Sequence, residues 1–180
     1  MLSIGDTFPD FDVTAAKSAN PSDAFISVKK ADLLGKWSVV FFWPKDFTFV
    51  CPTEIVAFGE LYEEFDKADA NLFGASTDNE FVHLAWRQSH KELTGSPFPW
   101  LSDIRRELAT GLGILDRKEG VAQRATFIND PTGIIRFASI TDMNVGRNPE
   151  EVLRVLHALQ TGGELCPANW RKGQTTLKAA

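Results

Sequence analysis

The sequence predicts an α/β protein: a central mixed β-sheet flanked by helices, with an N-terminal β-hairpin before it and a C-terminal tail behind. Three observations predict it. Short apolar runs and helical patterns alternate through the middle of the chain, the order that builds a sheet with helices on its faces. A second hairpin and one strongly capped helix follow that alternation. From Glu164 onward the periodic apolar positions run out, so the end of the chain is not core. The expected organisation is one domain over residues 1–163 and a tail over 164–180.

Phe8, Phe11 and Val13, then Phe25-Ile26-Ser27-Val28, read as two short strands, with turn residues Ser18-Ala19-Asn20-Pro21-Ser22 between them. Leu33-Leu34-Gly35-Lys36 leads into a buried strand at Trp37–Trp43. Ile55, Phe58, Leu61, Tyr62 and Phe65 then mark a helix running to about Ala68, and Leu72–Ser76 is the next strand. Asp78 or Asn79 caps a helix to about Leu93, with Phe81, Leu84, Ala85 and Gln88 along one side. Gly95-Ser96-Pro97 breaks the pattern before a strand at Phe98–Leu101. A helix from Ser102-Asp103 through Leu108 ends at Gly111 and Gly113. Strands at Arg124–Asn129 and Ile134–Ile140 flank the turn Asp130-Pro131-Thr132-Gly133. Asn148, Pro149 and Glu151 open the last helix, with Val152, Val155, Leu156 and Leu159 as its buried face and Gly162-Gly163 as its stop.

Composition narrows the function. The chain has 180 residues and a net charge of −5, which argues against nucleic acid or an anionic membrane as partner. No apolar stretch is long enough to span a bilayer, and the first residues carry no secretory pattern, so a cytoplasmic location is expected. In a reducing compartment, two cysteines point to catalysis or metal binding rather than a structural staple. His83, His90 and His157 lack metal-ligand spacing and no glycine-rich phosphate loop occurs, so neither a metal nor another cofactor is expected.

The chain's chemistry centres on Cys51. It sits where the strand at Trp37–Trp43 gives way to a helix, and Pro52 suits the first helical position. A thiol there faces the free amides and positive end of the helix. Such a setting, with a cation nearby, takes a thiol from near 8.5 to roughly 3.5–7.5. Cys51 is therefore read as a reactive thiolate. A thiolate that attacks a substrate also needs donors for the charge that develops on the departing atom. Thr48 offers a hydroxyl to the sulfur or to a substrate oxygen. Pro44 stiffens the loop and keeps water back. Arg124 is the expected cation. Glu54 lies on the same helical side as Cys51, where it holds an arginine by a bidentate pair or simply favours the helix dipole.

These residues carry a family resemblance. Pro44-x-x-x-Thr48-x-x-Cys51 matches the peroxiredoxin active-site motif, and Phe49-Val50-Cys51-Pro52-Thr53-Glu54 resembles the typical two-cysteine branch. Glu164-Leu165-Cys166-Pro167-Ala168-Asn169-Trp170 is similar to that branch's resolving-cysteine segment. The similarity runs from Gly5-Asp6-x-x-Pro9 through Asp130-Pro131 and Gly146-Arg147 to the tail, and is nearest to the bacterial alkyl hydroperoxide reductase peroxidase subunits. The resemblance implies a thioredoxin-like fold. It implies a peroxidase cycle in which Cys51 becomes a sulfenic acid and Cys166 of a neighbouring subunit condenses with it to a disulfide. It further implies a homodimer, commonly five dimers in a ring, and reduction by a thioredoxin-like dithiol protein or a flavoprotein disulfide reductase. Arg124 matches the family's active-site arginine, Arg147 a second one near the site, and Trp86 an aromatic beside it, though Trp86 reads equally as core.

A disulfide requires Cα atoms within roughly 7 Å, so a cysteine in the first turn of a helix reaches one on a tail only if that turn unwinds. Two departures bear on this step. The chain has Leu93-Thr94-Gly95-Ser96 where easily over-oxidised members carry Gly-Gly-Leu-Gly, and it ends at Ala180 without their Tyr-Phe helix. A robust enzyme is expected. Two other readings stand beside the peroxidase: a thioredoxin-like disulfide reductase, weakened by Thr48 standing where a Cys-x-x-Cys pair would need its first cysteine, and a non-catalytic holdase.

Overall fold

A computed structural model describes residues 2–179. β1 (Asp12–Ala16) and β2 (Phe25–Lys29) form the antiparallel N-terminal hairpin, with Val13 opposite Val28. Then come β3 (Trp37–Phe42), α1 (Val50–Glu60), α2 (Tyr62–Lys67), β4 (Ala70–Ser76), α3 (Glu80–Ser89), β5 (Trp100–Ser102) and α4 (Glu107–Gly111). A short hairpin of β6 (Leu115–Asp116) and β7 (Val121–Ala122) leads to β8 (Arg124–Asn129), β9 (Ile135–Thr141) and α5 (Pro149–Leu159). The main sheet runs β2-β1-β5-β4-β3-β8-β9. β3, β4 and β5 are parallel, and the strands outside them are antiparallel. The sheet is mixed, as the order of elements predicts.

β3 explains the position of the site. Val40 and Phe42 pack on one face of the sheet with Phe8, Leu108 and Phe127. Val39, Phe41 and Trp43 pack on the other with Ile55, Phe58 and Leu156. Neither face of this strand reaches water, which is why its sequence is a continuous apolar run rather than an alternation. α1 lies on the second face, where the Phe58 ring stacks on Phe41 at 3.9 Å and 15°. Burial of Ile55 and Phe58 stabilises that docking by about 1.5–3 kcal/mol each. The start of α1 is thereby fixed beside the C-terminal end of the parallel strands, where open α/β sheets place their chemistry.

Several boundaries differ from expectation. The helix predicted from Cys51 to Ala68 is two helices, broken at Leu61, just after Gly59, the residue least favourable to a helix beyond the first turn of the run. α1 begins at Val50, so Pro52 is its third residue; its missing N–H still falls among the unpaired first-turn amides. The expected strand at Phe98–Leu101 lies at Trp100–Ser102. α4 starts later than Ser102, because the Asp103 carboxylate reaches forward to accept from the N–H groups of Leu108 and Ala109. The β6–β7 hairpin has no counterpart in the sequence reading, and Trp170 in the tail is buried.

α3 departs most. Asn79 caps it, accepting from Val82 N at 2.9 Å, but it ends at Ser89. Its buried side is His83, Trp86 and Arg87, while Phe81 is 64% exposed. Polar residues occupy the core side because they find partners there. Arg87 donates to the carbonyls of Ser96 and Phe98 and lies 4.1 Å over the Trp100 ring, and burial lowers its pKa to about 10.

Candidate active site

The loop from Trp43 to Phe49 connects the end of β3 to α1 and holds its shape through Asp46. The Asp46 carboxylate accepts from Trp43 Nε1 at 2.7 Å and contacts His83 Nδ1 at 2.7 Å. Its backbone N–H donates to Asp78 at 2.9 Å. Burial pushes the Asp46 carboxyl up, against the opposing pull of His83. Trp43 fits there because β4 presents Gly74: a Cβ at that position would stand 2.6 Å from Trp43 Cζ3. The sequence reading missed Asp46 and His83. The available signal was an acid inside the Pro44–Thr48 loop, but hydrophobic periodicity is blind to a buried polar pair.

Cys51 is the second residue of α1 and is 1% exposed. The sulfur's hydrogen-bond partners among the described residues are two side chains. Thr48 Oγ1 stands 2.9 Å away and Arg124 Nη1 3.4 Å away. The Thr48 oxygen is also 2.9 Å from Lys45 O. Its one proton serves the carbonyl when the sulfur carries its own, and turns to the sulfur when the sulfur is ionised. Pro44 is buried behind this loop.

Arg124 enters from the first residue of β8 and is fixed at both ends of its fork. Nε donates to Met143 O at 2.7 Å, and Nη1 donates to Glu54 Oε2 at 2.6 Å. Glu54 follows Cys51 on the same side of α1, since residues three apart on a helix share a face. Its bidentate partner is Arg147: Nε to Oε1 at 2.7 Å, Nη2 to Oε2 at 2.9 Å, with the Arg147 backbone N–H adding a third bond at 2.9 Å. All three side chains are at least 96% buried, with relative exposures of 4%, 4% and 1% for Arg124, Arg147 and Glu54. Burial alone would push the Glu54 carboxyl up; Arg147 first, then Arg124, holds it below its ordinary value instead. The cluster carries two guanidiniums against one carboxylate, an excess of positive charge facing the sulfur.

Trp86 and Cys51 belong to the same buried apolar cluster. The Trp86 ring meets Phe47 of the loop at 5.8 Å and Trp100 at 5.7 Å, so it backs the loop from the core. Cys166 lies apart from the cluster. Its sulfur is 3.8 Å from Thr161 Oγ1 and 3.9 Å from Ala158 O, beyond the C-terminal end of α5. Arg147 immediately precedes the other end of that helix. Eleven residues of α-helix span about 16 Å, so Cys166 and the Arg147–Glu54 pair beside Cys51 lie toward opposite ends of α5. Both cysteines are free. Among the described residues no cluster of His, Cys, Asp and Glu could hold a metal ion, and no helix is long and apolar enough to cross a membrane.

Comparison with known proteins places this geometry. The model of the AhpC/TSA family matches residues 4–138, and that of the C-terminal domain of 1-Cys peroxiredoxin matches residues 156–180, a segment that here contains Cys166. The chain is 52% identical to alkyl hydroperoxide reductase C of Mycolicibacterium smegmatis, covering 99% of this chain and 95% of that protein. The solved structure of Mycobacterium tuberculosis AhpC matches with a TM-score of 0.86 at 51% identity, covering 95% of this chain and 99% of that one. A reduced 2-Cys peroxiredoxin from Plasmodium vivax matches with a TM-score of 0.91 at 30% identity, covering 99% and 94%.

Proposed function

The chain belongs to the AhpC/TSA family, has a thioredoxin-like fold and is a thiol-dependent peroxidase; from that premise we propose which atoms perform the reaction. Cys51 is the peroxidatic residue. Its thiolate attacks one oxygen of hydrogen peroxide or an organic hydroperoxide, the O–O bond breaks, and the product alkoxide or hydroxide leaves as Cys51 becomes a sulfenic acid. Thr48 and Arg124 are the donors that hold the peroxide and stabilise the charge on the oxygens. Glu54 and Arg147 keep Arg124 in place, and Pro44 and Trp86 support the loop. The observation that carries this reading is the pair of donors on one sulfur, Thr48 at 2.9 Å and Arg124 at 3.4 Å. Preorganised donors at developing charge are the largest single contribution in sites of this kind.

Cys166 is the resolving residue. Its thiol condenses with the sulfenic acid, forming the Cys51–Cys166 disulfide and releasing water. The position of the two cysteines toward opposite ends of α5 supports a partner from a second copy, so the working unit is a homodimer, assembled as a pentamer of dimers. A dithiol protein of the thioredoxin kind, or an alkyl hydroperoxide reductase-like flavoprotein, returns the disulfide to thiols. Residues 164–180 act as a resolving tail on the 1–163 domain, and the role is antioxidant defence in the cytoplasm.

Stopped-flow mixing with hydrogen peroxide, followed by intact-mass analysis, tests the assignment. Cys51→Ser should consume no peroxide, Cys166→Ser should stop at the sulfenic acid, and the wild type should give a covalent dimer under non-reducing conditions. Peroxide turnover that survives Cys51→Ser would refute it; a holdase, which needs no thiol, would keep its activity in the same variant while peroxide consumption is abolished.

A further inference from the structure

Phe47 has a left-handed backbone, with φ of 56°. That region is costly for any residue with a Cβ, and a bulky residue there is an outlier. The other non-glycine residues with positive φ among those described are Asp69, Arg106 and Asn169. Aspartate and asparagine tolerate the region. Arg106 is tied by its own side chain, which donates to Gly120 O at 2.7 Å and Ile104 O at 3.2 Å. The Phe47 side chain has no polar group to do the same. Its ring is 57% exposed, and its aromatic contact is Trp86.

The conformation is imposed by the residues on either side. Asp46 is pinned by Trp43, His83 and Asp78. Thr48 is pinned to Lys45 O and the Cys51 sulfur. Phe47 lies between these two anchors and turns left-handed to join them. One of those anchors is conditional. When the first turn of α1 unwinds, Cys51 withdraws from Thr48, and of the two contacts on the C-terminal side of Phe47 only the one to Lys45 O remains.

We propose that Phe47 is a positioning residue for the resolving step: its backbone is loaded while the first turn of α1 is intact and relaxes when that turn opens to deliver Cys51 to Cys166. The proposal rests on the two-cysteine cycle above. A sulfur that is 1% exposed must emerge before it can meet a thiol on another copy. In the closed state the sulfenate faces a competing reaction with a second peroxide: its sulfur takes one oxygen to become a sulfinate, the O–O bond breaks, and the other oxygen leaves as water. A strained closed state shifts the balance toward opening, and so toward the disulfide.

Phe47→Ala and Phe47→Gly separate this strain from everything else the ring does. Both lose the ring, its contact with Trp86 and any surface it covers. Alanine keeps the cost of the left-handed backbone and glycine removes it. The freer unwound chain of glycine works in the opposite direction and is the smaller effect. Stopped-flow tryptophan fluorescence with rapid quenching into mass analysis reads sulfenate formation and disulfide formation separately.

The two variants should form sulfenate equally fast. Phe47→Gly should form the disulfide about fivefold more slowly than Phe47→Ala, and its sulfinate yield per turnover should rise in proportion. Phe47→Asn, which tolerates the left-handed region, should fall between them. Equal disulfide rates in the glycine and alanine variants, or a faster glycine variant, would overturn the proposal. A wild type that gives no sulfenate or no disulfide would instead refute the two-cysteine cycle.

Discussion

Arg124 reaches Glu54 and Cys51 with the same nitrogen. Nη1 lies 2.6 Å from Glu54 Oε2 and 3.4 Å from the Cys51 sulfur. The carboxylate fixes the guanidinium while leaving it next to the sulfur, and the second arginine, Arg147, supplies the charge that lets a buried carboxylate hold this place. A lysine at 124 could not reproduce the arrangement, because a single ammonium cannot serve Met143 O, Glu54 and the sulfur from a fixed fork. Arg124→Lys should lower kcat/KM for hydrogen peroxide by at least about tenfold, measured by competition kinetics.

Thr48 is separable from its bulk. Thr48→Val keeps the shape and removes the hydroxyl, and should slow sulfenate formation by about a hundredfold. Thr48→Ser keeps the donor and should retain most of the rate. Equal losses in the two variants would mean that the methyl group, and not the hydroxyl, matters.

Glu54 links the site to stability. Its carboxyl is raised by burial but held below its ordinary value of 4.5 by the two arginines. The folded state thus binds this proton less readily than the unfolded chain does. Its contribution is fully present above about pH 4.5 and is lost as pH falls through the lower folded value. Glu54→Gln leaves two buried guanidiniums without their anion and should cost about 3–5 kcal/mol at pH 7. In urea unfolding, the gap between wild type and variant should narrow as the pH drops below that window.

Gly74 and Gly59 predict opposite outcomes for the same change. A Cβ at Gly74 would press within 2.6 Å of the Trp43 ring, and Trp43 holds Asp46. Gly74→Ala should destabilise by about 1–3 kcal/mol and slow the peroxide reaction through the displaced loop. At Gly59, in α1, the nearest atom to a Cβ is Pro97 Cδ at an ordinary 3.5 Å. Gly59→Ala should stabilise by about 0.5–1 kcal/mol. Thermal unfolding of the two variants checks both.

Cys51, Thr48, Pro44 and Glu54 were legible in the sequence because they lie within one strand–loop–helix passage, where spacing alone brings them together. The N-terminal and β8–β9 hairpins and the Asn148 cap were legible for the same reason: each is a local contest that a few neighbouring residues decide. The approach of Arg124 and Arg147 to Glu54 spans 70 and 93 residues of chain; the residues themselves suggest only Arg124, and Arg147 enters through the family motif alone. The buried face of α3 was misread, because His83 and Arg87 enter the core only when Asp46, Ser96 and Phe98 arrive from elsewhere to receive their hydrogen bonds. By itself the sequence determined the order of elements, the placing of a cysteine in the first turn of α1 and the residues next to it in the chain. Tertiary structure decided which distant charges surround that sulfur and where its loop is strained, since a buried charge or a left-handed turn is stable only where the assembled fold supplies its partners.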